Sequence, residues 1–310
     1  MKLVRLNNYD VIVTSLYRAS IISRAVSLLT QVPLVDTIVN DSYGKYKKQE
    51  FKGIHRIKFY IVLLLDRLTS GIPKLWISNA EYIAGSMAKV LSIDKRKIKI
   101  IHRGRRVQEM YAWNTPALGS PFHFISIGRL SPQKGQADLI RAFHQFHQKY
   151  PGSRLTIYGD GLLKKDLEQL ISELKLNNII FLPGRTPEAW KQMYQAHCFI
   201  LPSYYEGFSG ALIEALILGI PLICSDIPMN REAVKDSENG LLYKVGEIDQ
   251  LLQSMTKLYE QYQESIERGK TARKEALVNY DIKSIAQQYQ EAITIFATPS
   301  TPRHPDTATP

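Results

Sequence analysis

Residues 198–214 read CFILPSYYEGFSGALIE: an apolar run from Cys198 to Leu201, a turn holding Gly207 and Gly210, then a helical pattern over 211–218. In doubly wound α/β sheets, ligands bind at the C-terminal ends of the strands, where a turn opens a helix. Gly207 and Gly210 let the backbone approach an anion closely, and a helix N-terminus presents free N–H groups to it. Glu206 stands before that helix and Glu214 a turn or more inside it. N–H groups for an anion, with two carboxylates beside them for hydroxyls, point to chemistry on a sugar nucleotide.

Working outward, the same alternation repeats. Strand-like runs fall at 122–127, 154–158, 179–182, 199–201 and 221–224, with a weaker one at 241–243. Helical patterns sit between them at 135–149, 162–175, 187–196, 209–218 and 247–263. This order predicts an α/β fold with a parallel sheet and helices on both faces. Upstream, strands are expected at 10–15, 33–39, 74–78 and 97–102, and helices at 17–30 and 79–90. Apolar residues recur at helical spacing over 51–68. A last helix is expected at 282–296, and the Pro/Thr-rich tail 297–310 reads as disordered.

The 310 residues suit two domains, and 45% hydrophobic residues can build a sizeable core. The two cysteines, Cys198 and Cys224, sit in apolar runs and read as reduced core residues of a cytoplasmic protein. No signal peptide is visible, and the longest aliphatic run near a helix, 61–65, is far short of a membrane span. The net charge of +11 is uneven: residues 1–120 carry 20 Lys/Arg against 8 Asp/Glu, a net +12, and the remainder carries 20 against 21. The step places a domain boundary near 116–121 and gives the first half an anionic partner. Lys45, Lys47, Lys48, Lys52, Arg56 and Lys58 flank the amphipathic stretch, which suits anionic lipid as well as a plain solvated face. A second cluster, expected near the inferred cleft, is Lys95, Arg96, Lys97, Lys99, Arg103, Arg105 and Arg106. No nucleic-acid motif accompanies either, so nucleic acid is not expected as a partner. Asp160 lies between two glycines without a second carboxylate nearby, and His144 and His147 read as surface residues. No metal site is expected.

Five motifs follow in order: Gly128-Arg129-Leu130-Ser131-Pro132-Gln133-Lys134-Gly135, Tyr158-Gly159-Asp160-Gly161, Phe181-Leu182-Pro183-Gly184, the Glu206/Glu214 segment, and Pro221-Leu222-Ile223-Cys224-Ser225-Asp226. Together they resemble the donor-binding domain of retaining glycosyltransferases of family 4, closely over 121–280 and loosely back to residue 10. The resemblance implies the GT-B fold, two Rossmann-like domains with parallel sheets. By their own spacing, Arg129 and Lys134 can put two permanent charges on a diphosphate from one strand-to-helix turn. The resemblance implies that both hold the donor's diphosphate, Gly128 beside them, and stabilise the leaving nucleoside diphosphate. It implies that Glu206 faces the transferred sugar, that Glu214 binds the ribose hydroxyls, and that Gly184 and Arg185 contact the nucleobase. Backbone N–H groups of Gly207, Phe208 and Ser209 would complete a phosphate cradle. The expected donor is a UDP- or GDP-sugar, with no cofactor or metal. The expected acceptor is a saccharide or lipid-linked hydroxyl in cell-surface polysaccharide or glycolipid synthesis, with the protein cytoplasmic and peripheral on the inner membrane face.

The expected domains are 1–118 (partial, acceptor side), 119–280 (donor side), a helix at 281–296 and the tail 297–310. The first is short for the family. Thr14 and Ser15 stand where such a strand often ends in a histidine, and 101–106 reads IHRGRR where an Asn-Gly turn is usual. A partner chain can complete that domain, the sequence can belong to a longer product, or the chain can be a catalytically idle nucleotide-sugar binding module or partner subunit. An epimerase or phosphorylase of the same fold is the enzymatic rival.

Overall fold

The computed structural model describes residues 9–44, 47–48, 51–116 and 121–296. Lys45, part of the expected boundary at 116–121 and the tail 297–310 lie outside them. The chain divides into two compact units, Met1–Ile101 with Ala286–Pro310, and His102–Ile285. The division after Ile101 comes earlier than the charge step at 116–121. The reason is that 102–116 is tied into the second unit. Arg105 N–H donates to Tyr280 O and Ile282 N–H to Arg105 O, both at 2.8 Å, while Trp113 N–H donates to Leu218 O at 2.8 Å. The Trp113 indole N–H reaches Ala196 O at 2.9 Å.

In the first unit, strands β1 (Ile12–Thr14), β2 (Leu34–Ile38), β3 (Leu75–Ser78) and β4 (Ile98–Ile100) pair in parallel in that order. The connecting helices are α1 (Tyr17–Thr30), α2 (Gly53–Thr69) and α3 (Glu81–Leu91). The core is Leu34, Val35, Trp76, Ile77, Ile83 and Leu91. A charged cluster is buried in this unit and left no trace in the hydrophobic pattern. Arg24 pairs with Asp36 at 2.9 Å and Asp66 at 2.5 Å. Ser20 and Tyr43 hydroxyls donate to the two carboxylates at 2.7 and 2.8 Å. Burial pushes the Asp36 pKa up, against the lowering pull of Ser20 and Arg24.

The second unit holds β5 (Phe122–Ile127), β6 (Ser153–Tyr158), β7 (Ile180–Gly184), β8 (Cys198–Leu201), β9 (Leu222–Ser225) and β10 (Leu241–Tyr243). They form one parallel sheet in the order β10-β9-β8-β5-β6-β7. The chain enters at the centre, steps out to β7, returns to β8 beside β5, and steps out the other way to β10. That is the doubly wound order, whose central strands leave a crevice where the direction of winding reverses. Its helices are α4 (Gln136–Lys149), α5 (Lys164–Glu173), α6 (Gly210–Leu218), the short α7 (Pro228–Arg231), α8 (Ile248–Glu260) and α9 (Tyr262–Asn279). A final helix, α10, spans Ile282–Thr294. The α/β expectation therefore holds in both units. Residues 187–196, expected as a helix, form a 3-10 turn over Ala189–Gln195 instead. Helix α9 was not anticipated. Its buried face is Ser265, Gly269, Ala272 and Ala276, which carries almost no apolar signal. Small side chains are needed there, since a Cβ on Gly269 would lie 2.2 Å from Gly219 O.

Candidate functional site

At the reversal point, the loops after β5 and β8 are joined through their main chains. Gly135 sits in the left-handed region at φ 66°, and a Cβ there would lie 2.1 Å from Pro202 O. Tyr204 N–H donates to Gln133 O at 2.8 Å, and the Tyr204 hydroxyl donates to Asp138 on α4. Ser225 Oγ on β9 holds Ser203 O at 2.5 Å. This contact brings Lys134, at the end of a 3-10 turn, against Glu206: Nζ and Oε1 are 2.5 Å apart. Ser203 Oγ donates to the same oxygen at 2.6 Å, and Glu206 is only 7% exposed.

The β6 loop packs equally tightly. Gly128 N–H donates to Tyr158 O at 2.9 Å and Leu130 N–H to Asp160 O at 3.0 Å. Cβ atoms on Gly159 and Gly161 would fall 1.8 Å from Gly128 O and 2.3 Å from Leu130 O. The Gly-Asp-Gly motif thus shapes the loop that carries Arg129. The Asp160 carboxylate accepts from Gly161 N–H at 2.8 Å. Gln136 Nε2 donates to Arg129 O at 2.9 Å, and the exposed Arg129 side chain makes no ion pair among the described residues. Gly184, at φ 88°, ends β7; it has open space beside its Cα and accepts from Gly159 N–H at 2.9 Å, while Arg185 is exposed.

Helix α6 opens at Gly210 with Ser209 as N-cap, in extended conformation and with no side-chain hydrogen bond to the helix. Its first N–H groups are therefore available to an anion. The Phe208 side chain is 3% exposed and stacks on His102 at 4.9 Å, so it anchors the loop and leaves only its main chain for a ligand. Glu214, on the second turn, pairs with Arg105: Nε to Oε1 is 2.7 Å. A Cβ on Gly210 would lie 2.1 Å from Arg105 Nη2 and 3.6 Å from Arg103 Nη1, so both guanidinium groups stand at the start of α6. Burial and the Arg105 charge pull the Arg103 pKa down, while Glu214 and Glu206 oppose the shift. The sequence places Arg103 and Arg105 in a basic cluster near the inferred cleft but gives neither a role in the site; the structure sets both against the start of α6. Of that cluster, residues 95–99 belong to the first unit and 103–106 to the second. Nothing local could reveal Arg105, which lies 109 positions from its partner. Lys134, Glu206, Glu214, Arg103 and Arg105 are brought together, with α6 opening among them. Among the described residues, no three His, Cys, Asp or Glu side chains group as a metal site.

The family described as glycosyl transferases group 1 matches residues 108–275, more than half of the chain. The chain belongs to that family. An uncharacterized glycosyltransferase of Methanocaldococcus jannaschii is 45% identical to this group 1 chain over 105 residues, which is 34% of the chain and 26% of the relative. The Campylobacter jejuni N-acetylgalactosamine-N,N'-diacetylbacillosaminyl-diphospho-undecaprenol 4-alpha-N-acetylgalactosaminyltransferase is 30% identical over 218 residues, 69% of this chain and 57% of that one. The chain thus spans about a quarter and somewhat over half of these two relatives. Among solved structures, Anabaena HepE in complex with UDP-glucose superimposes with a TM-score of 0.82 at 23% identity, over 95% of this chain and 81% of that one. This likeness establishes the GT-B type of fold.

Proposed function

We propose that this group 1 chain transfers a sugar from a UDP- or GDP-sugar to an acceptor hydroxyl, with retention of anomeric configuration and without a metal. The observation that carries the reading is the Lys134–Glu206 pair at the sheet's reversal point, in a loop leading into the uncapped start of α6. In this reading the α6 N–H groups, Arg129 and Lys134 take the diphosphate, and Gly128, Gly207, Phe208 and Ser209 line it with main chain. As the bond from the anomeric carbon to the diphosphate breaks, charge builds on the leaving oxygen, and Lys134 and Arg129 stabilise it. The positive charge left on the sugar meets the fixed carboxylate of Glu206. Glu214 receives the ribose hydroxyls, and the open side of Gly184 with Arg185 receives the base. Arg129 and Lys134 supply the cationic charge that a divalent ion supplies elsewhere. HepE, solved with UDP and with UDP-glucose, supports a UDP-sugar first.

For the acceptor we propose a lipid-linked saccharide, as in the diphospho-undecaprenol named for the Campylobacter relative. A cytoplasmic protein docked on the inner membrane face suits that acceptor. Helix α2 exposes Ile54, Ile57, Ile61, Leu64 and Leu68 beside exposed Lys52, Arg56 and Lys58, the composition that binds anionic lipid in the interface plane. No described helix is long and apolar enough to cross a membrane.

The deciding experiment is calorimetric titration with UDP, GDP and ADP, repeated on Lys134→Ala. Binding of one nucleotide that weakens about tenfold or more in the variant is expected from loss of a charge-assisted hydrogen bond. Absence of binding by the parent chain would overturn the reading, and so would binding indifferent to Lys134.

A further inference from the structure

Arg105 occupies an electrostatically awkward place. A guanidinium at the start of a helix faces the positive end of the helix dipole, and Arg103 adds a second cation there. Two anchors hold Arg105 in position. Its main chain is bonded on both sides, N–H to Tyr280 O and O to Ile282 N–H. Its side chain donates to Gly104 O at 3.0 Å through Nη1 and to Glu214 Oε1 at 2.7 Å through Nε. The helix makes room for it. Gly210 does not have the positive φ that would require glycine, and the atoms a Cβ would meet there are the guanidinium groups of Arg105 and Arg103. Glu214 Oε2 makes no hydrogen bond among the described residues.

We propose that Arg105 is a positioning residue for the nucleotide's ribose. It fixes one oxygen of Glu214 so that the other is aimed to accept from a ribose hydroxyl. A carboxylate on a helix otherwise samples several rotamers, and an ionic hydrogen bond to a main-chain-anchored guanidinium removes that freedom before the nucleotide arrives. Discrimination between a ribonucleotide and its deoxy counterpart then depends on Arg105, which itself does not touch the hydroxyl. The inference rests on the donor-site reading above and deepens it.

The test is calorimetric titration with UDP, 2′-deoxy-UDP and 3′-deoxy-UDP. It is run on the parent chain, Arg105→Ala, Arg105→Lys and Gly210→Ala, the last of which keeps the charge but displaces the guanidinium. The parent chain is expected to prefer UDP over one deoxy nucleotide by about tenfold, the value of a hydrogen bond to a charged group. That preference should fall to about twofold or less in Arg105→Ala and Gly210→Ala, and be restored in part by Arg105→Lys, since an ammonium also pairs with a carboxylate. Full preference retained in both Arg105→Ala and Gly210→Ala would overturn the proposal. So would tighter UDP binding in Arg105→Ala, which would mean that the arginine competes with the ribose for Glu214. A parent chain that binds no UDP counts against the donor-site reading itself, whereas one that binds and discriminates without Arg105 counts against this inference alone.

Discussion

Glu206 is nearly buried, and its ion partner Lys134 is 17% exposed. Removing one member of such a pair leaves an uncompensated charge. Lys134→Ala should therefore destabilise the second unit by about 3 kcal/mol, read from urea unfolding, and Lys134→Met combined with Glu206→Gln should cost much less. Glu206→Gln keeps an acceptor for Ser203 but loses the charge that the proposed mechanism sets against the transferred sugar. Turnover should fall by about a hundredfold or more while nucleotide affinity stays near that of the parent chain. At Gly159 the constraint is space. A methyl group would collide with Gly128 O at 1.8 Å, and both atoms belong to main chain that cannot swing aside. Gly159→Ala should cost about 3 kcal/mol by overpacking, measured by the same unfolding experiment.

At the scale of elements, the Arg24 cluster ties α1, β2 and α2 together inside the first unit. Arg24→Met would strand the Asp36 and Asp66 carboxylates in the interior and should cost about 3–5 kcal/mol. Replacing all three by apolar residues of similar volume should recover most of the loss, and thermal unfolding of the variants measures both. Helix α2 carries a different expectation, because its outer face is apolar and cationic at once. The parent chain should cosediment with anionic vesicles, less so as salt rises, and Ile57→Glu with Leu64→Glu should abolish binding. Neutral vesicles binding as well as anionic ones would exclude the charge contribution.

For the whole molecule, acid should weaken the second unit through its two buried histidines. Burial of His123 and His197 lowers both pKa values from 6.5 to about 4. Between those limits the unfolded chain binds more protons, so the second unit loses stability as pH falls from about 6.5 to 4. The raised pKa of Asp36 works the other way. The native first unit holds the extra proton above the ordinary carboxylate value, and stability from that group is lost as pH rises through the shifted value. Thermal scans from pH 7 to 4 should show the second unit's transition falling, and His123→Gln with His197→Gln should flatten that fall. Both strands β5 and β10 were legible residue for residue, because buried parallel strands read as short apolar runs. Helix α9 was not, since its packed face is built from Ser, Gly and Ala. The loops that carry Glu206 and Lys134 could be read from two local motifs. The Arg105–Glu214 contact could not, because its partners lie a third of the chain apart and it needs the missing Cβ at Gly210.

Both cysteines of the chain, Cys198 on β8 and Cys224 on β9, are fully enclosed on adjacent central strands of the second unit, with thiol pKa values pushed up by burial. A thiol reagent can therefore modify either one only when that sheet parts. The chain carries a native clock for the opening of its second unit, silent to the first, and pulse labelling with and without nucleotide would time how long a bound ligand holds the sheet shut.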